Sequence, residues 1–142
     1  MPLFPPKSDW TAPDTLPDLS SAKRIAIDLE TKDPNLTTSG PGWATGDGYV
    51  TGFAIATDTW SGYLPIKHEG GGNLDEGLVK RWVNKTLSSG CDKIFHNAMY
   101  DVGWLKREGI QINGKIHDTV IAAPLVDENK RRYSLNILGE EY

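Results

Sequence analysis

In the stretch RIAIDLET, residues 24–31, Ile25, Ile27 and Leu29 alternate strictly with Ala26, Asp28 and Glu30. An apolar residue at every second position is the pattern of a β-strand with one buried face. The other face then carries two carboxylates, Asp28 and Glu30, two residues apart and pointing the same way. Acidic residues are poor strand formers. Two like charges side by side repel unless a cation lies between them. Alone, an Asp-x-Glu pair also describes an exposed strand edge. Kept in the middle of a strand this regular, it is expected to be part of a divalent-metal site.

The rest of the chain is read around that strand. Five of the nine prolines fall in residues 1–23, so residues 1–22 are expected to form an irregular arm and 23–142 one domain. Residues 32–48 read as a long loop. Tyr49–Thr57 reads as a second strand and Gly62–Ile66 as a third, joined by a turn at Asp58–Gly62. Pro65 demotes the third to a sheet edge. The loop HEGGGN, residues 68–73, lacks the Lys-Ser/Thr that a phosphate cradle needs. Leu74, Leu78, Val79, Trp82, Val83 and Leu87 share a helical stripe that starts near Asp75 and ends at Gly90. Lys93–Phe95 is a short buried strand, and Ala98–Glu108 a helix stopped by Gly109. Ile110–Ile116 is extended around Asn113-Gly114. Asp118 caps a helix over Thr119–Val126 that Pro124 distorts, and Ser134 caps a last helix. The sum is an α/β chain, a mixed sheet with three antiparallel strands followed by parallel ones and flanked by helices.

A second constellation follows the buried strand. In HNAMYD, residues 96–101, Asn97 and Asp101 are four apart and would share a helical face. Asp101 lies among Met99, Val102 and Leu105, which are expected to be core. A buried acid needs a partner, and the carboxylates of the first strand are the candidates, with a shared cation between them. Tyr100 and Trp104 at helical spacing fit core as well as base-stacking platforms. Asp118 fits a plain cap as well as a ligand.

The formal net charge is −4, which excludes a general grip on duplex backbone and leaves nucleic acid a local, metal-assisted site. No apolar run reaches the roughly 18 residues of a membrane span. Pro2, Pro5 and Pro6 stand where a signal peptide would be basic and then apolar. Cys91 is the single cysteine, so a reducing, cytoplasmic setting is expected.

The stretches AIDLET, FHNAMYDVGWL and IHDTVIAAPLVDENKRRYSLNIL resemble the 3′–5′ proofreading exonuclease domain of family A DNA polymerases, of the bacteriophage type in particular. That domain is a DEDD exonuclease with a ribonuclease H-like fold. The resemblance implies hydrolysis of single-stranded DNA 3′ ends to nucleoside 5′-monophosphates with two Mg2+ or Mn2+ ions. It implies that Asp28 touches both metals, Glu30 holds the one with the nucleophilic water, and Asp101 supports the second. Thr31, Asn97 and Tyr100 would lie near the terminal nucleotide, and Leu36 would supply an apolar wedge. The family's third motif, Tyr with Asp four residues on, has no counterpart: Ile137 lies four after Tyr133, and Tyr142 is the last residue given. The C-terminal helix and a polymerase part are therefore expected to lie outside this chain. The chain alone is expected to act poorly and to leave an apolar patch exposed.

Two other readings stand beside this one. One is a catalytically incomplete module, binding nucleic acid or completed by a partner chain. The other is a His/Asp metal phosphohydrolase built on His96, His117 and Asp118, against which the three leading strands argue. Lys130, Arg131 and Arg132 read as a backbone-contacting cluster or as a solvated loop.

Overall fold

The computed structural model describes residues 10–142; Pro2, Pro5 and Pro6 lie outside them. Among the described residues five strands form one sheet: β1 (Arg24–Lys32), β2 (Tyr49–Ala56), β3 (Ser61–Pro65), β4 (Asp92–Phe95) and β5 (Ile116–Asp118), in the order β3-β2-β1-β4-β5. The β1/β2 and β2/β3 pairs are antiparallel, and the β1/β4 and β4/β5 pairs are parallel. This is the mixed α/β sheet that the sequence predicts, with β3 at an edge. The helices are α1 (Leu36–Ser39), α2 (Gly42–Thr45), α3 (Glu76–Leu87), α4 (Ala98–Arg107), α5 (Thr119–Val126) and α6 (Leu135–Glu141). Among the described residues no helix is long and apolar enough to cross a membrane.

The alternation in β1 divides the sheet into two unlike faces. Ile25, Ile27, Leu29, Phe53, Ile55, Leu64 and Phe95 join Val79, Val83 and Leu87 of α3 and Trp104 and Leu105 of α4 in one buried core. Each large apolar side chain fully buried there contributes roughly 1.5–3 kcal/mol. The other face is built from small residues. The register sets Ala26 opposite Ala56, Asp28 opposite Ala54 and Glu30 opposite Gly52. It is left as a groove of about 620 Å³, lined by Ala26, Asp28, Ala54, Tyr63, His96 and Leu135 among others.

Asp75 caps α3, accepting from the Leu78 N–H at 2.6 Å. The buried line of α3 runs Val79, Val83, Leu87. Leu78 sits about 100° around the helix from Val79 and is exposed, contrary to expectation. The helix ends at Ser88 rather than running to Gly90. Met99 is likewise not core: it is 77% exposed, because α4 buries Ala98, Asp101, Trp104 and Leu105 instead. Ser134 stands at the N-cap of α6 but makes no side-chain cap bond. In the Ile110–Ile116 passage only Ile116 joins the sheet.

The segment expected as loop over 32–48 contains α1 and α2 and is tied down. Arg107 donates to the carbonyl oxygens of Gly42 and Asp47 at 2.7 and 2.6 Å. Trp43 packs so closely on Gly103 that any Cβ there would collide with its indole. The described part of the N-terminal arm is also held: Leu19 is buried, and Trp82 donates its indole N–H to the Pro17 carbonyl at 2.8 Å.

Candidate active site

Asp28 stands mid-strand on the small-residue face, partly buried. Burial pushes its carboxyl above the usual range, while the His96 imidazole and the Leu29 N–H pull the other way. Asp101 lies in the first turn of α4 and is 3% exposed. Its Oδ2 is buried without a hydrogen-bond partner. Burial first, then the charges of Asp28 and Asp118, push the Asp101 carboxyl up to about 7. A buried carboxyl with an orphaned oxygen among other carboxylates keeps its proton unless a cation is near to offset the charge.

Asp118 explains how α4 is aimed at β1. Its Oδ1 accepts from the N–H groups of Asn97 and Val120, both at 3.0 Å, and its Oδ2 from Ala98 at 2.8 Å. One side chain thus caps α5 and the start of α4 together. Burial would raise its carboxyl, but these three N–H donors outweigh that and hold it below the ordinary value. Of its two sequence readings, the capping role is the one the structure displays.

Asn97 is the one residue other than glycine with positive φ among those described, at φ 76° and ψ 58°. It therefore turns the chain before α4 begins, and it is exposed while Asp101 is buried. The shared helical face expected for the pair does not form, because Asn97 is not in a helical conformation.

Thr31 and Tyr100 do meet, their hydroxyls 2.9 Å apart. The Tyr100 O–H donates to Asp33 Oδ2 at 2.9 Å, and that oxygen also accepts from the Gly42 N–H at 2.9 Å. This network joins the strand bearing Asp28 and Glu30 to the helix bearing Asp101. Asp33 had no signal in the sequence beyond its place in a polar loop. Leu36 opens α1 and is exposed, outside the buried core.

Glu30 stays apart from the other two acids. It is exposed, lies opposite Gly52, and sits just before a register shift at Glu30/Thr31. Among the described residues no three His, Cys, Asp or Glu side chains are gathered tightly enough to hold a metal by themselves. Of the three acids, Asp28 and Asp101 are the two whose charges act on each other.

His96 and His117 do not converge as the phosphohydrolase reading needs. A ring nitrogen of His96 meets Thr119 Oγ1 at 2.8 Å, whereas His117 pairs with Asp92 at 2.9 Å. His117 and Asp118 are consecutive in β5 and point to opposite faces. Of the basic cluster, Lys130 is engaged by Glu141 at 2.6 Å and lies over the Tyr142 ring, while Arg131 and Arg132 are exposed. Tyr133 donates to the Asp127 carbonyl at 2.7 Å.

A model of the 3′–5′ exonuclease family of DNA polymerase A matches residues 7–142. The chain belongs to this family. It is 41% identical over 149 aligned residues to a DNA-directed DNA polymerase of Pseudomonas phage M6, covering 99% of this chain and 22% of that protein. It is 29% identical over 130 residues to DNA polymerase I of Borreliella burgdorferi, covering 91% of this chain and 13% of that one. The exonuclease-family chain therefore spans about a fifth or less of these relatives. Among solved structures, Brucella melitensis NrnC superposes with a TM-score of 0.61 at 24% identity, covering 89% of this chain and 56% of that one. NrnC with bound Mg2+ does so at 0.59 and 25%, covering 89% and 57%. The ribonuclease H-like fold expected for such an exonuclease is the fold found here.

Proposed function

We propose that this exonuclease-family chain trims single-stranded DNA from the 3′ end, releasing nucleoside 5′-monophosphates, with Asp28, Glu30 and Asp101 as ligands of two Mg2+ or Mn2+ ions. The observation that carries this reading is the buried Asp101 carboxyl, its Oδ2 unpartnered, beside Asp28. NrnC, a structural relative, has been seen with bound Mg2+, which supports the same class of ion here. Divalent cations at such carboxylates neutralise phosphoryl charge and make water a better nucleophile.

The chain's own residues supply the rest. Asp28 and Asp101 present negative charge from two different elements. The Thr31–Tyr100–Asp33 network fixes the spacing between those elements and sets the Tyr100 ring for the terminal nucleotide. Asn97, exposed at the start of α4, is placed to meet the same nucleotide. Bases would be held by stacking and apolar contact, without sequence preference. Residues 23–142 are read as the exonuclease domain, and the remainder of a bacterial or phage polymerase as its partner.

The test is a nuclease assay on a 5′-labelled single-stranded oligonucleotide. Slow stepwise shortening from the 3′ end with Mn2+, weak because no Tyr with Asp four residues on is present in the chain and abolished by EDTA and in Asp28→Ala, is the expected result. Internal cutting, or trimming that survives EDTA or Asp28→Ala, overturns the reading. A second reading, an interaction module completed by another polypeptide, is favoured by the apolar surface of α5, where Ile121 and Val126 are exposed and Leu125 is 84% exposed. DNA binding without any cleavage would select it.

A further inference from the structure

Glu30 is the one proposed ligand that nothing buries, so its carboxylate needs another means of being held. The small-residue face of the sheet provides one. Asp28, Ala54 and Tyr63 form one row across β1, β2 and β3, and Glu30, Gly52 and Pro65 form the next. The Tyr63 phenol does not stay in its own row. It leans across Gly52, where a Cβ would collide with the Tyr63 hydroxyl, Cζ and Cε2. The hydroxyl therefore occupies the place of a Gly52 side chain. Paired residues across antiparallel strands have Cβ atoms about 5 Å apart, so this hydroxyl lies within reach of the Glu30 carboxylate.

The phenol is also aimed from behind. His68 Nε2 hydrogen-bonds the Tyr63 hydroxyl, and the two rings meet edge to face with centroids 5.7 Å apart. Trp10 lies against the same phenol with centroids 5.7 Å apart. His68 is in turn clasped by Asn73: its N–H donates to Asn73 Oδ1 at 2.7 Å, and Asn73 Nδ2 donates to the His68 carbonyl at 2.9 Å. Gly71 and Gly72, at φ +83° and +71°, let the loop double back so that the clasp can close. The segment HEGGGN is thus a closed loop that presents one histidine to one tyrosine.

We propose that Tyr63 is a positioning residue for Glu30: its O–H donates to the Glu30 carboxylate and fixes it beside Asp28, while His68, held by the Asn73 clasp, donates to the Tyr63 oxygen and sets its direction. The inference rests on the metal-dependent reading above. It gives the glycine-rich loop a role that involves no phosphate. It also makes Gly52 a requirement of the site, since any side chain there would expel the phenol.

The test is Mn2+ affinity by titration calorimetry on the whole chain, with melting temperature in EDTA as the control for folding. Tyr63→Phe removes one oxygen and keeps the ring. It is expected to weaken Mn2+ about tenfold, the lower end of what loss of an outer-shell partner does, with the EDTA melting temperature unchanged. His68→Ala should weaken Mn2+ equally, the double variant no further, and His68→Gln, which keeps an N–H donor, should restore most of the affinity. Wild-type affinity in Tyr63→Phe, or losses from the two single variants that simply add, overturns the inference. So does a Tyr63→Phe chain that loses affinity only together with its EDTA melting temperature. Wild-type affinity in Asp28→Ala, or no Mn2+ binding by the wild type, overturns the metal reading itself and the inference with it.

Discussion

Asp28 on β1 and Asp101 on α4 are brought close enough that, after burial, the Asp28 charge is the strongest influence keeping the Asp101 carboxyl protonated up to about 7. In the unfolded chain an aspartate titrates near 3.9. Below that pH both states hold the proton. Between about pH 4 and 7 the unfolded chain has released it and the folded chain has not. Stability must fall through this window and level off once the folded carboxyl also ionises. The full loss is on the order of 4 kcal/mol. Asp101→Asn should remove it. In urea melts with EDTA, the variant should match wild type near pH 4 and exceed it increasingly up to pH 7. Parallel curves would mean that Asp101 ionises like an exposed aspartate.

The same repulsion makes the folded chain sensitive to cations. At a hundred times its dissociation constant, a ligand that binds only the folded state adds about 2.7 kcal/mol. For a domain of this length that is a rise of roughly 5–10 °C in melting temperature. MnCl2 should produce such a rise in the wild type. Asp28→Ala should abolish it while leaving the metal-free melting temperature equal or higher, because a partly buried charge beside Asp101 is gone. A Mn2+ shift that persists in Asp28→Ala would remove Asp28 from the site.

What could be read from the sequence was what repeats. The period of two in β1 marked both the buried Ile25, Ile27 and Leu29 and the polar Asp28 and Glu30. The buried positions of α4 include Asp101 at helical spacing from Ala98, Trp104 and Leu105, so an acid inside the fold was legible there. Met99 was misjudged because an apolar residue beside a stripe looks like part of it, and only packing shows which side is covered. The helices α1 and α2 are too short to carry a period. Asn97 leaves the helical conformation altogether, so its spacing to Asp101 predicts nothing about a shared face. The links that complete the site, Asp33 to Tyr100 and His68 to Tyr63, run between a loop and a folded element. No periodicity announces such contacts. The meeting of β1 with α4 was read from the need of a buried acid for a partner, and the resemblance to two separated motifs supported it.

Asp118 makes a prediction that separates a cap from a ligand. Its carboxylate satisfies Asn97, Ala98 and Val120 at the starts of two helices. Losing an N-cap costs about 1 kcal/mol, and leaving the part-buried Ala98 N–H unpaired costs roughly 1–3 kcal/mol more, while the exposed Asn97 N–H turns to water. Asp118→Ala should therefore destabilise by on the order of 3 kcal/mol in urea melts, with or without Mn2+. Asp118→Asn keeps one acceptor oxygen and should fall between. If Asp118 were chiefly a ligand, Asp118→Ala would instead leave the EDTA melt unchanged and lose only the Mn2+ shift.

Lys93 sets the last prediction. It is 0% exposed, on the core face of β4, and no described carboxylate pairs with it. Its ammonium donates instead to the carbonyl oxygens of Ser89, Cys91 and Asn113 at 2.7, 2.7 and 2.8 Å. These carbonyls belong to the turn after α3 and to the passage leading into β5, so one side chain ties together two segments that have no ladder of their own. Lys93→Met preserves most of the stem and deletes the charge. Two effects then oppose each other. Removing a buried charge relieves its desolvation, and hydrogen bonds to a charged group are worth about 1.5–3 kcal/mol each. With all three donors satisfied and three carbonyls stranded by the change, the lost bonds should win. We expect a net destabilisation of about 2–4 kcal/mol in urea. Hydrogen exchange should speed up at the Asn113 N–H, which donates to the Leu87 carbonyl at 3.0 Å beside the Asn113 side-chain bond to the Ser88 carbonyl at 2.8 Å. A Lys93→Met chain that is more stable than wild type, with Asn113 exchange unchanged, would show that desolvation dominates and that the Asn113 and Gln111 bonds hold the two segments without the ammonium.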